Sequence, residues 1–286
     1  MKEIVVLSGK GGTGKTAVLA SFAALAENSV LCDCDVDAPN LHLLLEPEVL
    51  ETHDFYGLQV AHIDPEACNE CGLCGAACRF DAIRDFQVDP FACEGCGLCT
   101  HVCPLEAISM RDRLAGHWYV SRTRFGLLTH ARLRAAQENS GKLVMAVRKR
   151  AREIAAETGA YYILSDGPPG IGCPAISSLS GAQTALIVTE PSLSGIHDLE
   201  RVLELCRHFR VRALVCMNKC DLSAENSQRI EEQCRRLAVE VVARIPFDPD
   251  VNRAIVEGRP VVETSDGAAS REIRSLWEAV AAHPTP

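Results

Sequence analysis

The chain has 286 residues, enough for one large domain or two smaller ones. Hydrophobic residues make up 47% of it and charged residues 23%, as in globular proteins with a sizeable core. The net charge of -9 argues against binding to nucleic-acid backbones, and no apolar run reaches the roughly 18 residues that a membrane span needs.

In chain order, apolar runs that predict buried strands alternate with patterns that predict helices. The predicted strands are Glu3–Ser8, Ser29–Cys34, Leu58–Ile63, Tyr161–Ser165, Ala185–Thr189, Ala213–Met217 and Val239–Ile245. The predicted helices are Thr16–Glu27, Lys142–Thr158, His197–Phe209 and Ala224–Leu237. This alternation predicts an α/β fold with a mostly parallel sheet covered on both faces. A stretch dense in Cys and Gly, from Cys68 to about Arg111, interrupts the pattern.

The segment after the first strand, GKGGTGKT, fits the phosphate-loop pattern G-x-x-x-x-G-K-[ST]. Its glycines let backbone N–H groups converge on phosphate oxygens, and the following helix N-terminus adds its positive end. Lys15 is expected to reach the β- and γ-phosphates, and the Thr16 hydroxyl is expected to bind Mg²⁺. The loop residues predicted to contact a nucleotide are Gly9, Lys10, Gly11, Gly12, Thr13, Gly14, Lys15 and Thr16.

Two predicted strands end in aspartates. One ends in CDCDVD (residues 32–37), which contains Asp33 and Asp35, and the other runs into Asp166 and a stiff GPPG loop that ends at Gly170. A lone aspartate at a strand end is a weak signal. Here it falls where the phosphate loop requires a carboxylate for Mg²⁺.

Because the loop carries a second lysine, Lys10, it resembles the deviant Walker A motif of the MinD/ParA/Mrp class of P-loop ATPases. The resemblance implies an Mg²⁺-dependent ATPase that forms a nucleotide-dependent homodimer, in which Lys10 reaches the phosphates of the other subunit. It also implies that Asp35 positions the attacking water, with Asp33 close to the Mg²⁺ shell. The candidate catalytic residues are Lys10, Lys15, Asp35 and Asp166.

The same resemblance extends to the rest of the nucleotide. Asp166 would hold Mg²⁺ through water, and Gly170 would offer an N–H group to the γ-phosphate. Asn218, in the strand-end sequence MNKCD, would contact adenine, which favours ATP over GTP. Pro246 and Asp248 resemble the second loop on the base side.

Fifteen cysteines in a chain with a phosphate loop predict a cytoplasmic protein whose thiols bind metal or carry out redox chemistry. Eight of them form two copies of C-x₂-C-x₂-C-x₃-C. The first copy is Cys68, Cys71, Cys74 and Cys78, and the second is Cys93, Cys96, Cys99 and Cys103. Zinc is the rival metal for such cysteine pairs.

The doubled pattern resembles a bacterial ferredoxin with two [4Fe–4S] clusters. In that fold the fourth cysteine of each run binds the other cluster. The resemblance therefore implies one cluster on Cys68, Cys71, Cys74 and Cys103, and a second on Cys93, Cys96, Cys99 and Cys78. One departure is Arg79, which follows Cys78 where the family usually has proline.

Nearly the whole chain thus resembles MinD-superfamily P-loop ATPases that contain an inserted ferredoxin domain, a group also called cobyrinic acid a,c-diamide synthase-like. We expect a discontinuous ATPase domain at 1–62 and 113–286 and a ferredoxin domain at 63–112. Two positions stay open. Cys173 is a packing residue or a metal ligand shared between subunits, and His130 is a surface or capping residue or else a ligand.

The leading function is an ATP-hydrolysing iron–sulfur protein that couples its nucleotide state to electron transfer, or to metal or cluster delivery, while a cofactor is assembled on a partner protein. The alternative is a positioning ATPase like MinD or ParA, with structural or sensory clusters. An ATP-dependent amidoligase is a third reading. Stable membrane association is not expected, because the C-terminal segment REIRSLWEAV (271–280) is short and balanced in charge.

Overall fold

The computed structural model of the chain describes residues 1–134 and 140–283. The strands are β1 (Lys2–Ser8), β2 (Ser29–Asp33), β3 (Glu48–Ile63), β4 (Ile83–Arg84), β5 (Gln87–Val88), β6 (Ile108–Thr123), β7 (Gly126–Leu133), β8 (Tyr162–Pro169), β9 (Thr184–Thr189), β10 (Arg212–Asn218) and β11 (Glu240–Ile245). The helices are α1 (Lys15–Leu25), α2 (His42–Leu45), α3 (Leu73–Ala77), α4 (Leu98–Val102), α5 (Ser140–Thr158), α6 (Cys173–Leu179), α7 (Leu193–His208), α8 (Ala224–Arg236), α9 (Pro249–Val256), α10 (Val261–Thr264) and α11 (Ala268–Ala282).

Nine strands form one sheet in the order β11-β10-β9-β1-β8-β2-β7-β6-β3. The interior strand β1 pairs in parallel with β8 and β9, and the pairs β2/β7, β2/β8, β9/β10 and β10/β11 are also parallel. The predicted α/β fold with a mostly parallel sheet is therefore confirmed.

Alternate side chains of β1 enter two cores, one on each face of the sheet. Ile4 and Val6 pack in the core that contains Phe22 of α1 and Leu276 of α11. Val5 and Leu7 pack in the core that also contains α7 and α8 residues such as Val202 and Ile230. This explains why EIVVLS reads as a continuous apolar run, because the strand is buried on both sides.

The described residues divide into two compact units. One comprises 1–53, 118–132 and 140–283, and the other comprises 54–117 with 133–134. The second unit is wider than the predicted 63–112 because β3 and β6 are 16-residue strands that run through both boundaries. We predicted only Leu58–Ile63 as a strand here, because polar and apolar residues alternate through most of β3 and no long apolar run marks it. In the structure the exposure of the side chains alternates in the same way.

The basic region Arg122–Arg152 contains the end of β6, then β7, then most of α5. Arg148 of α5 is buried, forms an ion pair with Glu3, and donates to the carbonyl oxygens of Ser177 and Ser180. None of the described helices is both long and apolar enough to cross a bilayer.

The unit of residues 54–117 contains a structural repeat of the cysteine pattern. Helices α3 and α4 start 25 residues apart, and each follows a glycine in the left-handed region, Gly72 (φ 77°) and Gly97 (φ 73°). The amide N–H of Asp64 donates to Ala107, and the equivalent N–H of Asp89, 25 residues later, donates to Ala82. Each half of the repeat therefore supplies a backbone acceptor to the other half.

Candidate nucleotide-binding site and cysteine repeat

The loop Gly9–Thr16 connects β1 to α1, as its sequence predicts. Gly12 (φ 80°) and Gly14 (φ 92°) have left-handed conformations that favour glycine. A Cβ atom at Gly14 would lie 2.3 Å from Nδ2 of Asn218, so a larger residue there would force the Asn218 amide to move. The amide of Asn218 in turn donates to the Thr13 carbonyl over 2.7 Å.

Lys15 and Thr16 both contact the aspartate of β8. The Lys15 ammonium lies 2.6 Å from Oδ1 of Asp166, and the Thr16 hydroxyl donates to Oδ2 over 2.8 Å. Burial alone would lower the pKa of Lys15, but the charge and hydrogen bond of Asp166 outweigh it and raise that pKa. The three residues that were predicted separately as phosphate and Mg²⁺ contacts thus converge on one point.

Asp33, the last residue of β2, and Asp35, just after it, have different surroundings. Asp33 is buried, and its carboxylate accepts from the N–H groups of Asp35 (3.0 Å) and Leu41 (3.3 Å). Burial, and then the charge of Asp166, raise the pKa of Asp33 well above its usual range. Asp35 lines the cleft beside the loop, and burial raises its pKa as well.

The cleft has a volume of about 520 Å³ and runs along the loop. Its walls come from residues 11–17, from Asp35 and Pro169, from Asn218 and Lys219, and from Val251, Asn252 and Ile255 of α9. The hydroxyl of Thr13, another wall residue, is buried and has no hydrogen-bond partner among the described residues. The cleft is therefore lined both by the loop with its Lys15 and by apolar side chains of α9.

Three predicted contacts lie elsewhere. The N–H of Gly170 donates to the Ser8 carbonyl over 2.9 Å, so this group holds the loop after β8 to β1. Pro246 and Asp248 are not among the residues that line the cleft. The carboxylate of Asp248 instead accepts from the N–H of Asp250 at the start of α9 and from the N–H of Ala269 in α11.

The eight patterned cysteines lie in the 54–117 unit, and five of them pack in one apolar cluster, Cys68, Cys74, Cys93, Cys99 and Cys103. Burial, and then the charges of Cys68 and Cys103, raise the pKa of Cys74, whereas burial, and then the charge of Cys93, raise the pKa of Cys99. A small cavity has four cysteines in its walls, Cys78, Cys93, Cys96 and Cys99. Within residues 1–134 and 140–283, no three or more His, Cys, Asp or Glu side chains converge on a point that would hold a single metal ion.

The remaining cysteines are dispersed. Cys206, Cys216 and Cys234 are buried, and so are Cys32 and Cys34, whose sulfur atoms lie 3.5 Å apart. Cys173 is exposed at the first position of α6. All fifteen cysteines are described, and none forms a disulfide.

The comparison with known families agrees with this geometry. Residues 4–261 match the CobQ/CobB/MinD/ParA nucleotide binding domain. The chain belongs to this family. An uncharacterized protein of Methanocaldococcus jannaschii, MJ0578, is 33% identical over 279 residues, which cover 96% of this chain and 95% of that protein. The septum site-determining protein MinD of Neisseria meningitidis is 26% identical over 96% of this chain and 89% of its own length.

Solved structures of MinD proteins share the fold. MinD of Pyrococcus horikoshii in complex with Mg-ADP has a TM-score of 0.59 at 20% identity, covering 98% of this chain and 95% of that one. The MinC:MinD complex of Aquifex aeolicus also gives 0.59, at 22% identity, with 100% and 98% covered. The α/β nucleotide-binding fold of the CobQ/CobB/MinD/ParA family is thus present in this chain.

Glu190 is a neighbour of the phosphate loop that the sequence did not predict. It follows β9, and its carboxylate pairs with Lys10 (2.7 Å) and Lys219 (3.0 Å). Burial opposes ionisation of Glu190, but hydrogen bonds from the two lysines outweigh it and lower its pKa. Lys219 also donates to the Gly12 carbonyl over 3.1 Å, which ties the loop to the ends of β9 and β10.

Replacing Lys219 with methionine is expected to weaken ATP binding about tenfold, since a charged hydrogen bond contributes roughly 1.5–3 kcal/mol. The substitution removes both a cation from the cleft and the tie to Gly12. Calorimetric titration with a non-hydrolysable ATP analogue would measure the change. Lys149→Met, at an exposed position of α5, is the matched control. Equal ATP affinities for the two variants would contradict a role for Lys219 in nucleotide binding.

His130 is a half-buried residue within β7, so it does not cap a helix. Its Nε2 lies 2.8 Å from the Ser121 hydroxyl, and its ring stacks on Tyr119 at 5.0 Å. Burial, and then the charge of His42, lower its pKa to about 4. The imidazole is therefore neutral over the physiological range.

This shift makes stability depend on pH. The unfolded chain has an ordinary histidine of pKa 6.5, so it takes up a proton at higher pH than the folded chain does. Stability should therefore fall, by up to about 3 kcal/mol, as the pH drops from 6.5 to about 4. Urea unfolding at several pH values would measure it. His130→Gln should flatten the decline, and the exposed His197→Gln should not; equal slopes for all three proteins would refute the prediction.

Proposed function

We propose that this chain is an Mg²⁺-dependent ATPase whose nucleotide state controls electron transfer, or metal or cluster delivery, through two [4Fe–4S] clusters in its cysteine repeat. One observation carries the proposal: the same chain contains both features. Its phosphate loop has Lys15 and Thr16 in contact with Asp166, and its eight cysteines lie in a structural repeat with a period of 25 residues. We expect the protein to act in the cytoplasm during cofactor assembly on a partner protein.

The nucleotide half rests on the chemistry of the cleft. The Thr16 hydroxyl and the Asp166 carboxylate are oxygen ligands of the kind that Mg²⁺ prefers, and they lie 2.8 Å apart. Lys15 would bind the β- and γ-phosphates, and the buried Thr13 hydroxyl would donate to a phosphate oxygen. Asp35, at the edge of the cleft, would orient the attacking water.

ATP is favoured over GTP by the base end of the cleft. In the strand-end sequence MNKCD, Oδ1 of Asp221 already accepts from the N–H of Phe247 over 2.7 Å. That carboxylate is engaged with the backbone of its own chain, while Asn218 lines the cleft. Val251 and Ile255 of α9 would cover the base with apolar surface.

The cluster half rests on the grouping of the cysteines. A [4Fe–4S] cluster, when bound, accepts or releases one electron. It takes one thiolate at each of its four irons, so its ligands surround a volume and do not meet at a point. The charges of Cys68 and Cys103 act on Cys74, and Cys78 shares one cavity with Cys93, Cys96 and Cys99, which supports the crossed assignment. We infer that Cys71 completes the first set.

We further propose a nucleotide-dependent homodimer. In the structure the Lys10 ammonium bonds within its own chain. It pairs with Glu190 at 2.7 Å and donates to the hydroxyls of Ser192 and Ser194, both at 3.0 Å. A contact from Lys10 to the phosphates of a second copy would require these bonds to break. Light scattering with and without a non-hydrolysable ATP analogue tests whether the dimer forms.

The second candidate is a positioning ATPase, favoured by the likeness to septum site-determining MinD proteins. Helix α11 argues against a membrane-attached form, because Ile273, Leu276 and Val280 are buried in the core. ATP-dependent sedimentation with liposomes would support the positioning role and overturn our expectation of no stable membrane association.

Electron paramagnetic resonance of the anaerobically purified, reduced protein separates the candidates. Spectra would be recorded without nucleotide, with ADP, and with a non-hydrolysable ATP analogue. A nucleotide-dependent change in the spectrum or potential supports coupling between the two sites. Identical spectra and potentials in all three states would favour the positioning ATPase, and a protein without iron would refute the cluster proposal.

A further inference from the structure

A groove of about 990 Å³ lies on the 54–117 unit with residues 133–134. Its walls come from the end of β3, from the segment around β5, and from β6. Three arginines line it, Arg111 and Arg113 on β6 and Arg134 just after β7. Two exposed aromatic rings, Phe86 and Phe91, line it as well.

These arginines are not neutralised by neighbouring carboxylates. Among the described residues, none of the three forms an ion pair. Asp112, which also lines the groove, accepts from the Gln59 amide over 2.9 Å. The groove is thus a cationic surface on a chain whose net charge is -9.

One side of the groove is fixed by stacking. The Arg113 guanidinium lies over the Phe91 ring, 5.0 Å from its centroid, and also donates to the Pro90 carbonyl. Since a guanidinium stacked on a ring loses little further freedom on binding, Arg113 is already ordered for a carboxylate partner.

The groove shares a wall with the cysteine repeat. Ala61, Ile63 and Val88 line the groove, and the same residues belong to the apolar cluster that contains Cys68, Cys74 and Cys93. Ala61 also lines the small cavity between the cysteines of the second group. A protein seated in the groove would be separated from the cysteines by one layer of side chains, and electron tunnelling is fastest over such short paths.

We propose that this groove is the docking site of an acidic electron-carrier protein, which rests on the cluster proposal above. One electron would pass from the reduced carrier to one cluster, so the carrier is oxidised by one electron and the cluster is reduced by one. No bond is made or broken. The arginines would speed encounter with the acidic carrier, and the apolar floor would exclude water from the contact.

The test uses a purified flavodoxin, an acidic flavin protein, and the anaerobically purified full chain. Binding of oxidised flavodoxin is measured by calorimetry at several salt concentrations, and reduction of the clusters by reduced flavodoxin is followed by stopped flow. Arg111→Glu should weaken binding about threefold and Arg111→Glu with Arg134→Glu about tenfold, with a shallower dependence on salt. The reduction rate should fall in parallel.

Arg84→Glu is the matched control, because Arg84 is an exposed strand residue of the same unit that does not line the groove. It should bind flavodoxin within about twofold of the unaltered protein. Equal losses in the control, or no loss in the double variant, would overturn the proposal. Arginine-dependent binding of short single-stranded DNA without binding of flavodoxin would also overturn it.

The two proposals fail in different ways. A protein without iron refutes the cluster proposal and removes the reduction measurement. The calorimetric result still decides whether the three arginines recognise an acidic protein surface.

Discussion

Replacing Asp166 with asparagine is expected to lower the rate of ATP hydrolysis by about 10²–10³-fold, the usual effect of removing one preorganised charge from a reacting centre. Asp166 is the common partner of Lys15 (2.6 Å) and Thr16 (2.8 Å). Asparagine keeps the shape and the acceptor for Thr16 but loses the charge that would hold Mg²⁺ and that raises the pKa of Lys15. Phosphate release at saturating ATP measures the effect.

The Mg²⁺ dependence distinguishes this role from a structural one. If Asp166 helps to hold the ion, the variant should need a higher Mg²⁺ concentration for half-maximal rate, while its circular dichroism stays unchanged. Asp266→Asn makes the same chemical change at an exposed position before α11 and should leave the rate unaltered. Unchanged hydrolysis in Asp166→Asn would remove this residue from the proposed site.

Replacing Cys74 or Cys103 with alanine is expected to lower the iron content from about eight to about four atoms per chain. The two cysteines are 29 positions apart in sequence, yet they pack in the same cluster of side chains. Because the crossed assignment gives them the same four irons, the two variants should leave the same remaining signal in electron paramagnetic resonance. Cys78→Ala should leave the other signal.

Cys173→Ala is the control, since this exposed cysteine lies outside the repeat. It should retain all the iron; a loss there would support the reading in which two copies of Cys173 share a metal. Zinc in place of iron would refute the cluster assignment. If Cys74→Ala and Cys103→Ala left different signals, the crossed pairing would be wrong.

Local patterns carried most of what the sequence predicted about the nucleotide site. The loop, its place between a strand and a helix, and the strand ending at Asp166 all follow from residues that are adjacent in the chain. Glu190 was missed because nothing near it in sequence marks it. Its partner Lys10 lies 180 positions earlier, and only the parallel pairing of β1 and β9 brings the two together.

Strand prediction failed where apolar residues were sparse. Most of β3 alternates between half-buried and exposed positions, and β6 mixes buried, half-buried and exposed positions, so neither gives the continuous apolar run that marks β1 or β9. No strand was predicted where β7 lies, and β7 begins at Gly126. A Cβ atom there would lie 2.3 Å from the Ser29 carbonyl, so this glycine permits β7 to pair with β2. Such a requirement appears only once the neighbouring strand is known.

The exchanged backbone bonds of Asp64 and Asp89 bear on how the cysteine unit is assembled. The Asp64 N–H in the first half donates to the Ala107 carbonyl in the second half, and the Asp89 N–H in the second half donates to the Ala82 carbonyl in the first. A fragment cut at the turn between β4 and β5 would lose both of these bonds, so neither half keeps its backbone partners when it is separated from the other. A single copy of the motif would have to associate with a second molecule to make the same bonds, whereas two copies in one chain make them within the molecule.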